Sequence, residues 1–311
     1  MPFAIVFSGQ GSQSVGMLTA LADAHETVAH TFEEASDALG FDLARMMREG
    51  PAEALNQTEN TQPALLAAGV AIWRLWEEKG GPRPAALAGH SLGEYTALAA
   101  AGVFGFGDAL RLVHLRGRFM QQAVPAGSGA MAAIIGLDIE PLHEVCAAAG
   151  KLGVVAPANL NSPGQIVISG EQAAVEKAGA LANEAGAKRV IPLAVSVPSH
   201  CALMQPAADL LAAEMAGLKL SAPSLPVINN ADVAAPDEPA EIADALLRQL
   251  THLVRWTEVV ESLRDDYGAD SLLEFGPGGV LVGLARRIDR GVKGFAVSDP
   301  ASFDAALVAI Q

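Results

Sequence analysis

Residues 84–102 read PAALAGHSLGEYTALAAAG, and the composition of that stretch changes twice in a way that implies strand, turn and helix in succession. The apolar AALA run suits a short buried strand, Gly89 to Gly93 suit a sharp turn, and YTALAAA favours a helix that Gly102 can close. Within the turn, Gly89-His90-Ser91-Leu92-Gly93 fits the pattern G-x-S-x-G, whose glycines let the chain bend tightly enough to present a serine hydroxyl ahead of a helix. The pattern alone would arise by chance in roughly one chain in ten of this length, so the flanking strand and helix carry the weight; an ordinary turn serine is the competing reading. The chain also opens on strand, loop and helix, since FAIVF runs into the glycine-rich SGQGSQSVG and a helical pattern over residues 17–25. Two such units indicate an α/β fold.

Residues 126–196 change character. MAAIIGL, a helical pattern over 140–149, VVAPANL, QIVISG, a second helical pattern from Glu171 and RVIPLAV follow in the order β-α-β-β-α-β. This is the ferredoxin-like signature. It predicts a small subdomain over 126–196 inserted into a larger α/β domain made of 1–125 and 197–311, with the turn-rich VPAGSG and SVPSH at the junctions. A helix over 202–215, the strand LPVIN, a helix over 241–250 and SLLEFGPGGV then return to the larger domain.

With 311 residues, 51% of them hydrophobic and 18% charged, the chain has enough apolar material for two cores and is not disordered. No apolar run reaches the length of a membrane span, and MPFAIVFSG has neither a basic leader nor a cleavable apolar segment, so a cytoplasmic location is expected. A formal net charge of -15 argues against nucleic-acid and anionic-membrane partners, which are held by Lys and Arg. Cys146 and Cys201 lie far apart without metal-ligand spacing; each is expected as a small buried hydrophobe in a reducing compartment.

A serine hydroxyl is a weak nucleophile at neutral pH and needs a base, most often histidine. His25, His30, His114 and His143 fall in helical patterns that suit packing or surface roles, and His90 adjoins Ser91, so its ring should point elsewhere. His200 follows Pro198 in S-V-P-S-H-C, where a strand stops and a helix begins, while His252 in its loop stays open as an alternative. No Asp or Glu occupies an evident orienting position, and a backbone carbonyl can orient the base in a Ser-His dyad.

The helix over residues 107–124 carries an apolar stripe of Leu110, Val113, Gly117, Met120 and Val124; Arg116 lies about 70° from its centre, and Arg111 and Arg118 nearly opposite. Only Arg116 can lean inward. A half-buried guanidinium there needs an anion, either a substrate carboxylate gripped bidentately or a protein carboxylate in a structural ion pair. The loop GQGSQ at 9–13 is no P-loop, because Met17 and Leu18 replace the required Lys and Ser/Thr after Gly11 and Gly16. Nor is it a dinucleotide loop, because Ser14 stands at the third glycine. At the end of the first strand it suits a backbone N–H aimed into a site, with a plain turn as the alternative.

Taken in order, FSGQGSQ, GHSLGEY, LRGRFMQQAVPAGSGAM, NSPGQIVISG, VSVPSHCALM, RQL followed by Trp256, and EFGPGGVL closely resemble the malonyl-CoA:acyl-carrier-protein transacylase family over nearly the whole chain. The resemblance implies an α/β-hydrolase-like large domain, a ferredoxin-like small subdomain and a site in the cleft between them. It implies Ser91 as nucleophile, His200 as its base, Arg116 on the malonyl carboxylate, and the backbone amides of Gln10 and Leu92 as oxyanion hole. The Gln249 carbonyl would orient His200, and Asn159 would help line the cleft. On this reading malonyl passes from malonyl-CoA to the phosphopantetheine thiol of acyl carrier protein through malonyl-Ser91, for fatty acid synthesis, in a monomer without metal or redox cofactor. The alternatives are a trans-acting acyltransferase that loads polyketide synthase carriers, a serine thioesterase, and a silent carrier-docking protein. An acidic carrier can approach this acidic chain only at a local basic patch; Arg286 and Arg287 with Arg290 and Lys293, or Lys188 and Arg189, are the candidates. Two positions depart from the family pattern: Leu253 where many members have proline, and Gly279 where lysine is frequent.

Overall fold

The computed structural model describes residues 2–125, 127–194 and 197–310. Its strands are β1 Phe3–Phe7, β2 Ala86–Gly89, β3 Gly129–Ile135, β4 Val155–Ser162, β5 Gln165–Glu171, β6 Arg189–Pro192, β7 Val227–Ile228, β8 Ser271–Phe275 and β9 Lys293–Val297. The order β7-β2-β1-β8-β9 forms one sheet, parallel at every pairing. FAIVF and SLLEF are buried at every position, as a parallel sheet covered on both faces requires. Phe3, Ile5 and Phe7 enter one core, while Ala4 and Val6 enter the other. Counted along the chain this sheet runs 3-2-1-4-5, so its winding reverses at β1. The crevice outside the carboxyl ends of β1, β2, β7 and β8 is the place where such sheets bind ligands.

The second sheet, β4-β5-β3-β6, is antiparallel at every pairing. Counted within its own segment from β6, the order is 4-1-3-2, the arrangement the β-α-β-β-α-β reading predicts. Alternation along the strands divides its faces. Ala132, Ile134, Ile166 and Ile168 pack under the helices Ile139–Ala149 and Gln172–Glu184, whereas Met131, Ala133 and Val167 form a separate apolar cluster on the other face. That face turns toward the large sheet. β4 is stitched to the larger domain at Val254, whose N–H donates to Ala158 O at 2.9 Å and whose carbonyl accepts from Leu160 N–H at 2.9 Å. These two bonds fix the loop at Leu253, where proline is absent.

Several elements are shorter than their sequence patterns. LPVIN contributes the two residues of β7, and RVIPLAV the four of β6. The pattern over 202–215 divides into a 3₁₀ turn, Ala202–Met204, and the helix Gln205–Met215, because Pro206 favours a helix start over a helix interior. The expected subdomain edges fall on Ala126 and Ser196, which lie outside the described residues. Both cysteines are free and buried. Among the described residues no helix is long and apolar enough to cross a membrane.

Candidate active site

β2 ends at Gly89 and the helix Leu92–Ala100 begins two residues beyond His90, which leaves His90 and Ser91 to reverse the chain. A methyl group on Gly89 would stand 1.9 Å from the Gly93 carbonyl carbon, and one on Gly93 would stand 2.1 Å from the Phe7 carbonyl oxygen. Glycine alone permits both approaches. The turn holds Ser91 at φ 51°, ψ -105°, a strained conformation for a residue with a side chain. Asn230, fully buried just past β7, secures it: Ser91 N–H donates to Asn230 Oδ1 at 2.6 Å, and Asn230 Nδ2 donates to Gly89 O at 2.8 Å.

His200 meets this turn from the segment ahead of the Gln205–Met215 helix, itself at φ 61°. Its Nε2 lies 2.8 Å from Ser91 Oγ and its Nδ1 lies 2.8 Å from the Gln249 carbonyl oxygen. A carbonyl can only accept, so Nδ1 carries the ring proton and Nε2 faces the serine as acceptor. Burial, and after it the Arg116 charge, push the His200 pKa down to about 3, which keeps the ring neutral. His252 is exposed, bonded to Arg248 O through Nδ1, and does not line the cavity. The His90 ring does turn away from Ser91. Its Nε2 is 2.9 Å from Asn161 Oδ1 of β4, and the ring packs 5.5 Å from Trp256.

Arg116 is deeper than its half-buried expectation, at 1% exposure, because the helix Phe106–Ala123 packs closely on the long helix Thr58–Glu78. Nη1 donates to Gln62 Oε1 at 2.8 Å; Nη2 donates to Gln249 Oε1 at 3.0 Å and to Ser91 Oγ at 3.3 Å. The guanidinium carbon stands 5.1 Å from the Tyr95 ring centroid, and Nε has no hydrogen-bond partner among the described residues. Among the described residues no carboxylate forms a salt bridge with Arg116, whereas Arg111 pairs with Asp108 at the surface. The structural ion pair considered from sequence is therefore not found. Its direct hydrogen-bond partners are neutral, and the nearby Glu94 carboxyl acts on it only across the Gln249 amide, so the guanidinium is open to direct contact with an incoming carboxylate.

Ser91, His200 and Arg116 line one wall of a cavity of about 270 Å³, and Met131, Val167, Asn159 and Asn161 of the small sheet line the other. Gln10 and Leu92 line it too. Leu92 is the first residue of its helix, so its N–H has no acceptor within the helix; Gln10 sits in the turn after β1, anchored by its side-chain Nε2 to Thr58 Oγ1 at 3.2 Å. Gln249 contributes more than the expected carbonyl, since its side chain also reaches Arg116. Sequence reading missed Asn230, Gln62 and Glu94. A polar Asn229-Asn230 pair directly after an apolar strand was a usable signal for the first, but Gln62 sits in an apolar helix with no local signal. Lys188, Arg189, Arg286 and Arg287 are exposed and outside the cavity lining, and Arg287 Nη1 donates to Gln165 Oε1 of β5.

A family described as acyl transferase domain matches residues 4–292. The malonyl CoA-acyl carrier protein transacylase of Salmonella typhimurium is 55% identical over 305 residues, which is 98% of each chain. The chain belongs to the malonyl-CoA:acyl-carrier-protein transacylase family. Two solved structures resemble this transacylase family member over essentially their full length. An acyl carrier protein S-malonyltransferase from Vibrio cholerae has 59% identity and a TM-score of 0.96, covering 98% of this chain and all (100%) of that one. A malonyl-transacylase in complex with its type II PKS acyl-carrier protein has 55% identity and a TM-score of 0.98, covering 99% and 100%. The parallel five-stranded sheet with its antiparallel four-stranded companion is thus the fold of the transacylases.

Proposed function

We propose that Ser91 carries malonyl between two pantetheine thiols in the S-malonyltransferase reaction of fatty acid synthesis, with His200 moving the protons and Arg116 holding the malonyl carboxylate. Ser91 Oγ attacks the thioester carbonyl of malonyl-CoA as its proton passes to His200 Nε2. The N–H groups of Gln10 and Leu92 supply hydrogen bonds to the oxyanion. The C–S bond breaks, and CoA leaves as thiol with the proton from His200. Then the carrier's phosphopantetheine thiol gives its proton to His200, its sulfur attacks the ester, and the C–O bond breaks to restore the Ser91 hydroxyl. Asn159 helps line the cleft across which the pantetheine lies.

One observation carries this reading: a buried Arg116, in no salt bridge among the described residues, has its guanidinium 3.3 Å from Ser91 Oγ. A single methylene separates the malonyl carboxylate from the thioester carbonyl, so a cation this close to the nucleophile suits a short diacyl group. Carboxylate binding also offsets the Arg116 charge that depresses His200, which makes the imidazole a stronger base once the correct donor is seated. Loading of a type II polyketide carrier is the second reading, favoured by the similarity to a transacylase solved with such a carrier. A cytoplasmic monomer, divided into 1–125 with 197–311 and 126–196, belongs to the same proposal.

The test is intact-mass analysis after mixing with malonyl-CoA. One malonyl group should appear on the peptide containing Ser91, disappear on adding phosphopantetheinylated carrier, and be absent in Ser91→Ala. Steady-state kinetics should give parallel double-reciprocal lines, as two thiols visit one serine in turn; intersecting lines would refute the covalent route. Release of free malonate in place of acyl-carrier would mark a thioesterase.

A further inference from the structure

We infer that Glu94 is a positioning residue that locks the base side and the carboxylate-binding side of the site together through the Gln249 side chain. The inference rests on the transacylase reading above. Glu94 lies three residues after Ser91 on the first turn of the elbow helix and is 1% exposed. A carboxyl group buried this deeply is costly unless its bonds are specific. Among the described residues no Lys or Arg bonds to it. Its Oε2 instead accepts from Asn230 N–H at 2.8 Å and from Gln249 Nε2 at 2.7 Å.

Each partner leads to the reacting groups. Asn230 grips Ser91 N–H and Gly89 O with its side chain. The Gln249 amide donates from Nε2 to Ser91 O at 3.0 Å as well, accepts from Arg116 Nη2 through Oε1, and accepts from His200 through its main-chain carbonyl. A primary amide can sit either way round. By taking the NH₂ end, Glu94 turns the amide oxygen toward the guanidinium; the reversed amide would set donors against donors. One carboxyl oxygen thereby fixes the elbow, the base and the cation in a single frame. Burial raises the Glu94 pKa to about 7 against the pull of its bonds to Asn230 and Gln249 and of Arg116. Because Oε2 can accept in either protonation state, the frame does not require a permanent charge.

Glu94→Gln and Glu94→Asp separate reach from charge. Glutamine keeps an oxygen at the same distance and drops the charge; aspartate keeps the charge but, one methylene shorter, cannot span both donors. Malonyl-Ser91 formation is followed by rapid quench with malonyl-CoA and acetyl-CoA, beside thermal unfolding to confirm a cooperative fold. Glu94→Gln is expected to stay within about threefold of the wild-type acylation rate, whereas Glu94→Asp falls by at least about tenfold, the size of one lost bond to an ionisable group. Malonyl loading should suffer more than acetyl loading in the aspartate variant, since only malonyl uses Arg116. A folded Glu94→Asp that loads malonyl at the wild-type rate overturns the inference, and so does a Glu94→Gln as slow as Glu94→Asp. Wild-type protein that forms no malonyl-serine overturns the transacylase reading itself, and this inference with it.

Discussion

The proposed hold of Arg116 on the malonyl carboxylate makes donor choice the property of one side chain. Its guanidinium rests among Gln62, Gln249 and the Tyr95 ring, with no carboxylate bonded to it among the described residues, so on the proposed reading an acetyl donor leaves it unpaired and a malonyl donor completes it. A hydrogen bond to a charged group is worth about 1.5–3 kcal/mol, and Arg116→Ala should therefore cut malonyl transfer by roughly 10- to 100-fold. Acetyl transfer should survive or improve; an equal fall for both donors in a competition assay would make Arg116 merely structural. Glu94 gives a prediction in pH. Its carboxyl titrates near 4.5 when unfolded and at about 7 when folded, so the folded state holds the extra proton between those values and loses stability as pH rises through that window. Glutamine mimics the protonated form. The melting temperature of Glu94→Gln should exceed that of wild type by a few degrees, about 5 °C, at pH 8, and the gap should close below pH 4.5. His200 contributes equally to both proteins and cancels. A gap that does not change with pH would show that Glu94 is not a buried carboxyl of raised pKa.

The elbow works as an element because three strands and a helix crowd one point. β1 supplies the Phe7 carbonyl against Gly93, β2 supplies Gly89, and the segment after β7 supplies Asn230, so the strain at Ser91 is borne by neighbours rather than by the turn itself. Gly93→Ala would drive a methyl group into backbone, with no flexible side chain to yield. Its cost should exceed the about 1–3 kcal/mol of ordinary overpacking, and any folded fraction should lose labelling of Ser91 by a serine-directed phosphonate. Gly102, which closes the same helix at φ 79°, has open space around it. Gly102→Ala should cost about 1–2 kcal/mol from backbone strain alone and leave labelling intact. Comparable unfolding midpoints for the two variants would contradict this account of the elbow.

For the whole molecule, net charge and partner are in tension, since a chain of formal charge -15 is proposed to receive an acidic carrier. The fold supports a local answer. Gln165 and Arg189 both pair with Ile135, one from each side of β3, which at about 4.8 Å per strand puts them roughly 10 Å apart. Arg287 bonds to Gln165. Arg189 and Arg287, far apart in sequence, therefore share one face, Arg287 being on the helix Val280–Ile288 whose Val280, Leu281 and Leu284 line the cavity. Arg287→Glu with Arg189→Glu should raise the KM for carrier and flatten its salt dependence, while loading of Ser91 from malonyl-CoA keeps its rate; an unchanged KM at low salt would place the dock elsewhere. None of that adjacency was legible in the sequence, although much else was. Periodicity and turn chemistry act within a few residues, so the strand, elbow and helix around Ser91, the β-α-β-β-α-β order and the inward lean of Arg116 could be read from the chain alone. His200 could be narrowed to one of two candidates by the proline ahead of it. What the tertiary structure decided are the meetings: Ser91 with His200 across 109 residues, with Asn230 across 139 and with Gln249 across 158. Those hydrogen bonds exist only once two parallel strands, a helix end and a buried carboxyl have been packed together, and no local pattern encodes a partner that only packing brings within reach.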